Sequence, residues 1–232
     1  MQAIFVVGTD TGVGKTVVTG LLGRYLLERG YNAITQKWIQ TGSEGFPEDI
    51  DTHLRLMQKE RQDVACYLSH MAPFVFKFPA SPHLAARLEN KQIRTNRIIR
   101  SFKLLTKEFD FVVVEGIGGA LVPFNKRRLV IDIAKDLDLP VVIVSRNRLG
   151  AINHTLLTIE ALRKRRMRII GVIFNGQYEE EEKVILRDNP EIVRVLTDTD
   201  ILGNLPWLQD EDLLYKAFAP IGDSIFTKLE RK

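Results

Sequence analysis

The chain has 232 residues, of which 45% are apolar and 27% charged, ordinary globular values that exclude wholesale disorder, collagen and coiled coil. Lysine plus arginine exceed aspartate plus glutamate by 33 to 29, a formal charge of +4, too small an excess to argue for nucleic acid. No apolar run approaches the ~20 residues a bilayer needs, and the lone Cys66 excludes an intramolecular disulfide or a cysteine-cluster metal site.

In chain order, Ala3–Val7 is a short apolar run bounded by Gly8 and reads as a buried strand. Met1-Gln2-Ala3-Ile4-Phe5 lacks the basic region and long apolar stretch of a signal peptide, so a cytoplasmic protein is expected. Lys15–Arg29 carries Val17, Val18, Leu21, Leu22, Tyr25 and Leu26 at helical spacing, and Gly30 stops it. A second strand follows at Ala33–Lys37, with Asp49 and Asp51 on a loop beyond it. Ser81-Pro82 suits a helix start, serine as N-cap and proline in the first turn, and Asn96–Glu108 reads as the helix feeding the next strand.

Phe111–Val114, Val141–Val144 and Ile169–Phe174 are near-continuous apolar runs, as strands covered on both faces require. Between the last two, Ala151–Arg166 is helical by Ile152, Leu156, Ile159 and Leu162; its cationic end, Arg163-Lys164-Arg165-Arg166, complements the helix dipole. Glu179–Glu182 opens a further helix and Asp210–Lys228 forms the last. The alternation predicts one α/β domain over residues 1–232: an open, mostly parallel β-sheet flanked by helices.

Gly8-Thr9-Asp10-Thr11-Gly12-Val13-Gly14-Lys15-Thr16 joins the first strand to the first helix. Glycines in that place let several backbone N–H groups face one anion, and the helix's positive end adds to the field. The expectation is therefore a fold of the P-loop NTPase type, with Lys15 at the β- and γ-phosphates and the Thr16 hydroxyl on Mg²⁺. Five residues separate Gly8 from Gly14, where the usual pattern has four.

Glu115 ends the Phe111 strand and is followed by Gly116-Ile117-Gly118-Gly119. In open parallel sheets ligands bind at the carboxyl ends of the strands, so Glu115 is expected beside the phosphate loop, on the same metal. Lys37 ends the second strand on the same sheet edge, where an ammonium would stabilise charge on an acceptor or on a moving phosphoryl group. Thr41 offers a hydroxyl nearby, and either Asp49 or Asp51 a second acid.

The combination resembles the dethiobiotin synthetases of biotin biosynthesis. The loop at Gly8–Thr16 with its five-residue spacing, Lys37 with a hydroxyl at Thr41 and Gly42-Ser43-Glu44, Ser81-Pro82-His83, Val114-Glu115-Gly116 with Gly118-Gly119, Gly150-Ala151-Ile152-Asn153-His154, Asn175 and Leu205-Pro206-Trp207-Leu208 all fit that family in order. The resemblance implies a cytoplasmic homodimer that uses ATP, Mg²⁺ and CO₂ to close the ureido ring of 7,8-diaminononanoate, with no nucleic-acid or membrane partner.

Residue by residue, the resemblance implies Lys37 and Lys15 as the catalytic lysines. It implies a nucleotide site of Gly12, Val13, Gly14, Lys15, Thr16, Val17, Asp51, Glu115, Gly116, Ile117, Gly118, Asn175, Gly176, Asn204, Leu205, Pro206 and Glu211. Metal ligands are Thr16, Asp51 and Glu115. Substrate contacts are Thr41, Gly118 and Gly119, with Gly150, Ala151, Ile152 and Asn153 supplied by the neighbouring subunit. His83 and His154 are expected to be structural.

Two other classes share such a loop. Partition- and division-type ATPase switches usually carry an extra lysine early in it, where this chain has Thr9-Asp10-Thr11. The synthetase domain of a cobalamin-pathway amidoligase normally precedes a glutaminase domain with a nucleophilic cysteine.

Overall fold

In the computed structural model, residues 2–176 and 182–230 are described. The elements are β1 (Gln2–Gly8), α1 (Lys15–Glu28), β2 (Ala33–Lys37), β3 (Ile39–Thr41), α2 (Glu48–Leu56), a 3₁₀ segment (Arg61–Tyr67), α3 (Leu68–Met71), β4 (Phe74–Phe76), α4 (Pro82–Leu88), α5 (Thr95–Glu108), β5 (Phe111–Gly119), α6 (Val130–Asp136), β6 (Val141–Arg146), α7 (Ala151–Lys164), β7 (Ile169–Asn175), α8 (Lys183–Thr197), β8 (Ile201–Leu205) and α9 (Glu211–Glu230).

Six strands form one sheet in the order β2-β5-β1-β6-β7-β8, and every pairing is parallel. Both faces are covered, which is why the strands read as unbroken apolar runs. Ile4 and Val6 of β1 pack with α1 and α9 residues such as Leu21 and Phe218, whereas Phe5 and Val7 pack on the opposite face with Phe102 of α5 and Ile159 of α7. After β1 the chain turns toward β2; after β5 it crosses to β6 on the other side of β1. Such a reversal opens a crevice at the carboxyl ends of the central strands.

Gly30 ends α1 as the sequence suggests. It adopts φ +84°, its N–H reaches the Leu27 carbonyl and that of Tyr31 the Leu26 carbonyl, the paired bonds of a Schellman end. Ser81 occupies the N-cap of α4 with Pro82 in the first turn. Its hydroxyl lies 3.1 Å from His83 Nδ1 rather than on a backbone N–H. Arg163 and Arg165 at the end of α7 hydrogen-bond Thr199 and Asp132.

Several elements depart from expectation. Asp49 and Asp51 lie on a helix, α2, not on a loop; Pro47 caps it and three acids fill its first turn, where they suit the positive dipole end. The short strands β3, β4 and β8 are held by tertiary pairing more than by propensity. The acidic run expected to open α8 lies, apart from Glu182, outside the described residues.

Candidate active site at the carboxyl ends of β1, β2 and β5

The register of the sheet sets the site. Lys37 is paired with Glu115 across β2 and β5, and Val6 with Glu115 across β1 and β5, so the two side chains leave adjacent strands at the same height beside the loop that follows β1. Gly14 caps α1 at φ +98°, a left-handed conformation open to glycine without strain. A Cβ there would fall 2.0 Å from Asn175 Nδ2. The loop's anion-facing turn therefore depends on having no side chain at that position.

A cavity of about 570 Å³ opens above these ends, lined by Thr11, Gly12, Gly14, Lys15, Thr16, Lys37, Thr41, Glu115, Ile117 and Gly118, with Gln40, Asp49, Val122 and the Pro79–Pro82 segment closing it. Inside it, Thr16 Oγ1 lies 3.2 Å from Asp49 Oδ1 and 3.1 Å from Glu115 Oε1. Lys37 Nζ donates to Glu115 Oε1 at 2.6 Å and to the Gly116 carbonyl at 3.0 Å, and it lies 2.8 Å from Asp49 Oδ2. Lys15 Nζ donates to the Asp10 carbonyl at 2.9 Å. Two ammoniums and two carboxylates thus share one pocket.

The charges are tuned by that arrangement. Burial, followed by the like charge of Lys37, lowers Lys15 to about 8. Burial alone would lower Lys37 too, but Glu115 and then Asp49 outweigh it and hold its ammonium above the ordinary value. Burial would raise Glu115, yet Lys37 and then His53 draw it down to about 2. At neutral pH Glu115 is therefore ionised and poised to receive a cation.

Asp51, expected at the metal, points elsewhere. It forms an exposed pair with Arg61, while Asp49, two residues earlier, stands at Thr16. The i, i+2 spacing sends the two acids to different faces of α2. His53, one turn beyond Asp49, was not singled out from the sequence. It is fully buried, and its Nε2 lies 2.8 Å from Glu115 Oε2. The Asp49–His53 spacing of four residues was the available signal, hidden by reading the segment as a loop.

A second cavity of about 380 Å³ adjoins the first across Gly12 and Gly14, which line both. Val17, Asn175, Gly176, Pro206, Trp207, Leu208 and Leu214 complete it. Asn175 Nδ2 donates to the Val13 carbonyl at 3.0 Å, and Val13 itself is buried in the core. Leu205 accepts the Gly176 N–H at 2.8 Å through its carbonyl, but neither it nor the exposed Asn204 lines this cavity. Glu211 also lies outside the lining and is paired with Arg55.

Gly119 lines a third hollow of about 370 Å³, with Leu121, Val122, His154 and Leu157 among its walls. Gly116 contributes its carbonyl to Lys37 rather than a surface to the first cavity. Gly150, Ala151, Ile152 and Asn153 start α7, with Gly150 at φ +88°, and border neither of the first two cavities.

A strand, a glycine-rich turn and a helix whose first residues carry lysine and threonine, set beside a strand-end acid on a parallel sheet, define a P-loop nucleotide-binding protein. A family model described as an AAA domain matches residues 2–212. The chain is 43% identical over 195 residues to the ATP-dependent dethiobiotin synthetase of Chlorobaculum tepidum, spanning 84% of this chain and 81% of that protein. It is 39% identical over 212 residues to that of Halalkalibacterium halodurans, spanning 90% and 86%.

Among solved structures, pNOB8 ParA bound to nonspecific DNA aligns at a TM-score of 0.60 with 15% identity, covering 100% of this chain and 99% of that one. The Pyrococcus furiosus cell division ATPase MinD aligns at 0.59 with 15% identity, covering 98% and 99%; these likenesses speak to the fold alone. The chain belongs to the ATP-dependent dethiobiotin synthetase family, ligases of biotin biosynthesis that form C–N bonds. Among the described residues no helix is long and apolar enough to cross a membrane.

Proposed function

We propose that the first cavity is where ATP meets a carbamate of 7,8-diaminononanoate, and that the protein works in the cytoplasm as a homodimer. The observation that carries this reading is the convergence of Lys15, Lys37 and Glu115 on one cavity beside the phosphate loop. The loop's N–H groups and Lys15 hold the triphosphate, and the adjoining cavity takes the adenine, with Asn175, Gly176 and Pro206 at its edge.

The donor set suits Mg²⁺. Thr16, Asp49 and Glu115 offer only hard oxygens, and Mg²⁺ typically takes one or two carboxylates and fills its shell with water and phosphate. Water and the phosphates of the nucleotide would complete the shell. When bound, Mg²⁺ offsets the negative charge of the β- and γ-phosphate oxygens.

One amine of the substrate adds to CO₂, releasing a proton and leaving a carbamate. The carbamate oxygen then attacks the γ-phosphorus as ADP departs. Both partners are anions, so the enzyme must supply positive charge between them; Lys37 lies within the same cavity as Lys15 and serves that role. Thr41 flanks the diamine, and the Gly118 backbone borders the reacting end. The second amine attacks the activated carbon, the ring closes and phosphate leaves.

The carboxylate tail is held by the N-terminal turn of α7, Gly150–Asn153, from the neighbouring subunit, where the positive end of the helix favours an anion. Beside that turn, Leu149, Leu157 and Leu121 are 77%, 55% and 54% exposed, an apolar surface of the kind that marks an interface. The reading is tested by phosphate release from ATP with and without the diamine and bicarbonate. Release that needs both supports it; turnover indifferent to both overturns it.

A further inference from the structure

The two oxygens of Glu115 have different occupations. Oε1 receives Thr16 Oγ1 at 3.1 Å and Lys37 Nζ at 2.6 Å. Oε2 pairs with His53 Nε2 at 2.8 Å. Both residues are buried, His53 at 0% and Glu115 at 1% exposure. An ionised carboxylate only accepts, so Nε2 carries the hydrogen.

The other ring nitrogen, Nδ1, is buried without a hydrogen-bond partner. An orphaned buried polar atom ordinarily costs stability, which an apolar side chain in the same space would avoid. The imidazole is therefore kept for the single bond it makes. Its backbone is held firmly as well: a Cβ on Gly20 of α1 would lie only 3.2 Å from His53 Cα, so α1 and α2 touch closely at that point. Ile50 and Leu54 anchor α2 in the core. From one short helix, Asp49 thus reaches the front of the acid pair and His53 the back.

We propose that His53 is a positioning residue for the cation site: its Nε2–H fixes Oε2 of Glu115 and so keeps Oε1 turned toward Thr16 and the metal position. This rests on the Mg²⁺ reading above. Partners that orient metal ligands typically change metal affinity 10–100-fold when removed.

The test uses Mn²⁺ as a spectroscopic probe, titrated by electron paramagnetic resonance into the protein saturated with a non-hydrolysable ATP analogue. Glutamine sets its amide nitrogen roughly where Nε2 lies, and asparagine sets it where Nδ1 lies. His53→Gln should hold Mn²⁺ within about threefold of the parent, and His53→Asn should lose about 10–100-fold, with KM for Mg²⁺ rising more than kcat falls. An asparagine variant as tight as the parent, or equal losses in both variants, overturns the role of His53 alone. A parent that binds no Mn²⁺ at the nucleotide removes the cation reading and this inference with it. In the unaltered protein, nitrogen-15 labelled histidine should show one exchange-protected Nε2–H that shifts when Mg²⁺ and the analogue bind; its absence, or no shift, also overturns the proposal.

Discussion

Lys37→Met removes the ammonium that lies between Asp49 and Glu115 while keeping an unbranched side chain of similar length. In the parent, Glu115 is held at about 2 against an ordinary 4.5. That gap of two to three pH units, at ~1.4 kcal/mol each, corresponds to about 3 kcal/mol, in line with the ~3–5 kcal/mol typical of breaking a buried ion pair. The sign follows from linkage. A carboxylate with a depressed folded-state pKa stabilises fully above its unfolded value and loses that contribution as pH falls toward the folded one. The parent should therefore exceed the variant by about 3 kcal/mol at pH 7, and the gap should shrink to less than half by pH 3. Urea unfolding of both proteins across that range measures it. A gap that stays flat with pH, or is absent at pH 7, would refute the claim that Lys37 is what keeps Glu115 charged.

The same substitution should lower kcat by about 10²–10³-fold with ATP affinity within a few-fold; equal losses of both would make Lys37 a phosphate anchor only. Asp49→Asn should weaken Mg-ATP binding by at least about tenfold, whereas Asp51→Asn, whose pair with Arg61 is exposed, should leave that binding close to the parent's; calorimetric titration separates them, and the reverse order would return the ligand role to Asp51. Gly14→Ala forces a Cβ against Asn175 at a left-handed φ and should destabilise by about 2 kcal/mol or more, read as a fall in Tm together with lost nucleotide binding; an unchanged Tm would show that Asn175 moves aside freely. Asn153→Ala should raise KM for the diamine with ATP affinity kept. Mixing it with Lys37→Met should rebuild one whole site in each mixed dimer, about a quarter of all sites; no recovery would end the shared-site model.

Much of this was legible because the informative residues sit where strands stop. Glu115 ends an apolar run, Lys37 ends a short strand and Lys15 follows the glycine loop after another, and a parallel sheet gathers such ends on one edge. What escaped was written in weaker signals. The glycines and proline between Thr41 and Glu48 suggest a loop, and they mask a helix from which Asp49 and His53, four residues apart, face the site. Trp38, which follows Lys37, is a buried ring stacked 5.1 Å from Phe5. Only the packed sheet reveals that it steadies the strand end carrying Lys37. The edge strand β8 holds glycine and asparagine, poor strand formers alone, and exists because β7 offers it a ladder.

The strand order also dictates when the site can exist. β5 lies between β1 and β2, although the chain makes both of those first. During synthesis the gap between β1, whose following loop leads to Lys15, and β2, which ends in Lys37, stands open until about half of the polymer has emerged. The early portion holds both lysines without Glu115, the acid that does most to hold Lys37 charged. The first cavity is therefore complete only once β5 has slid between its two elder neighbours.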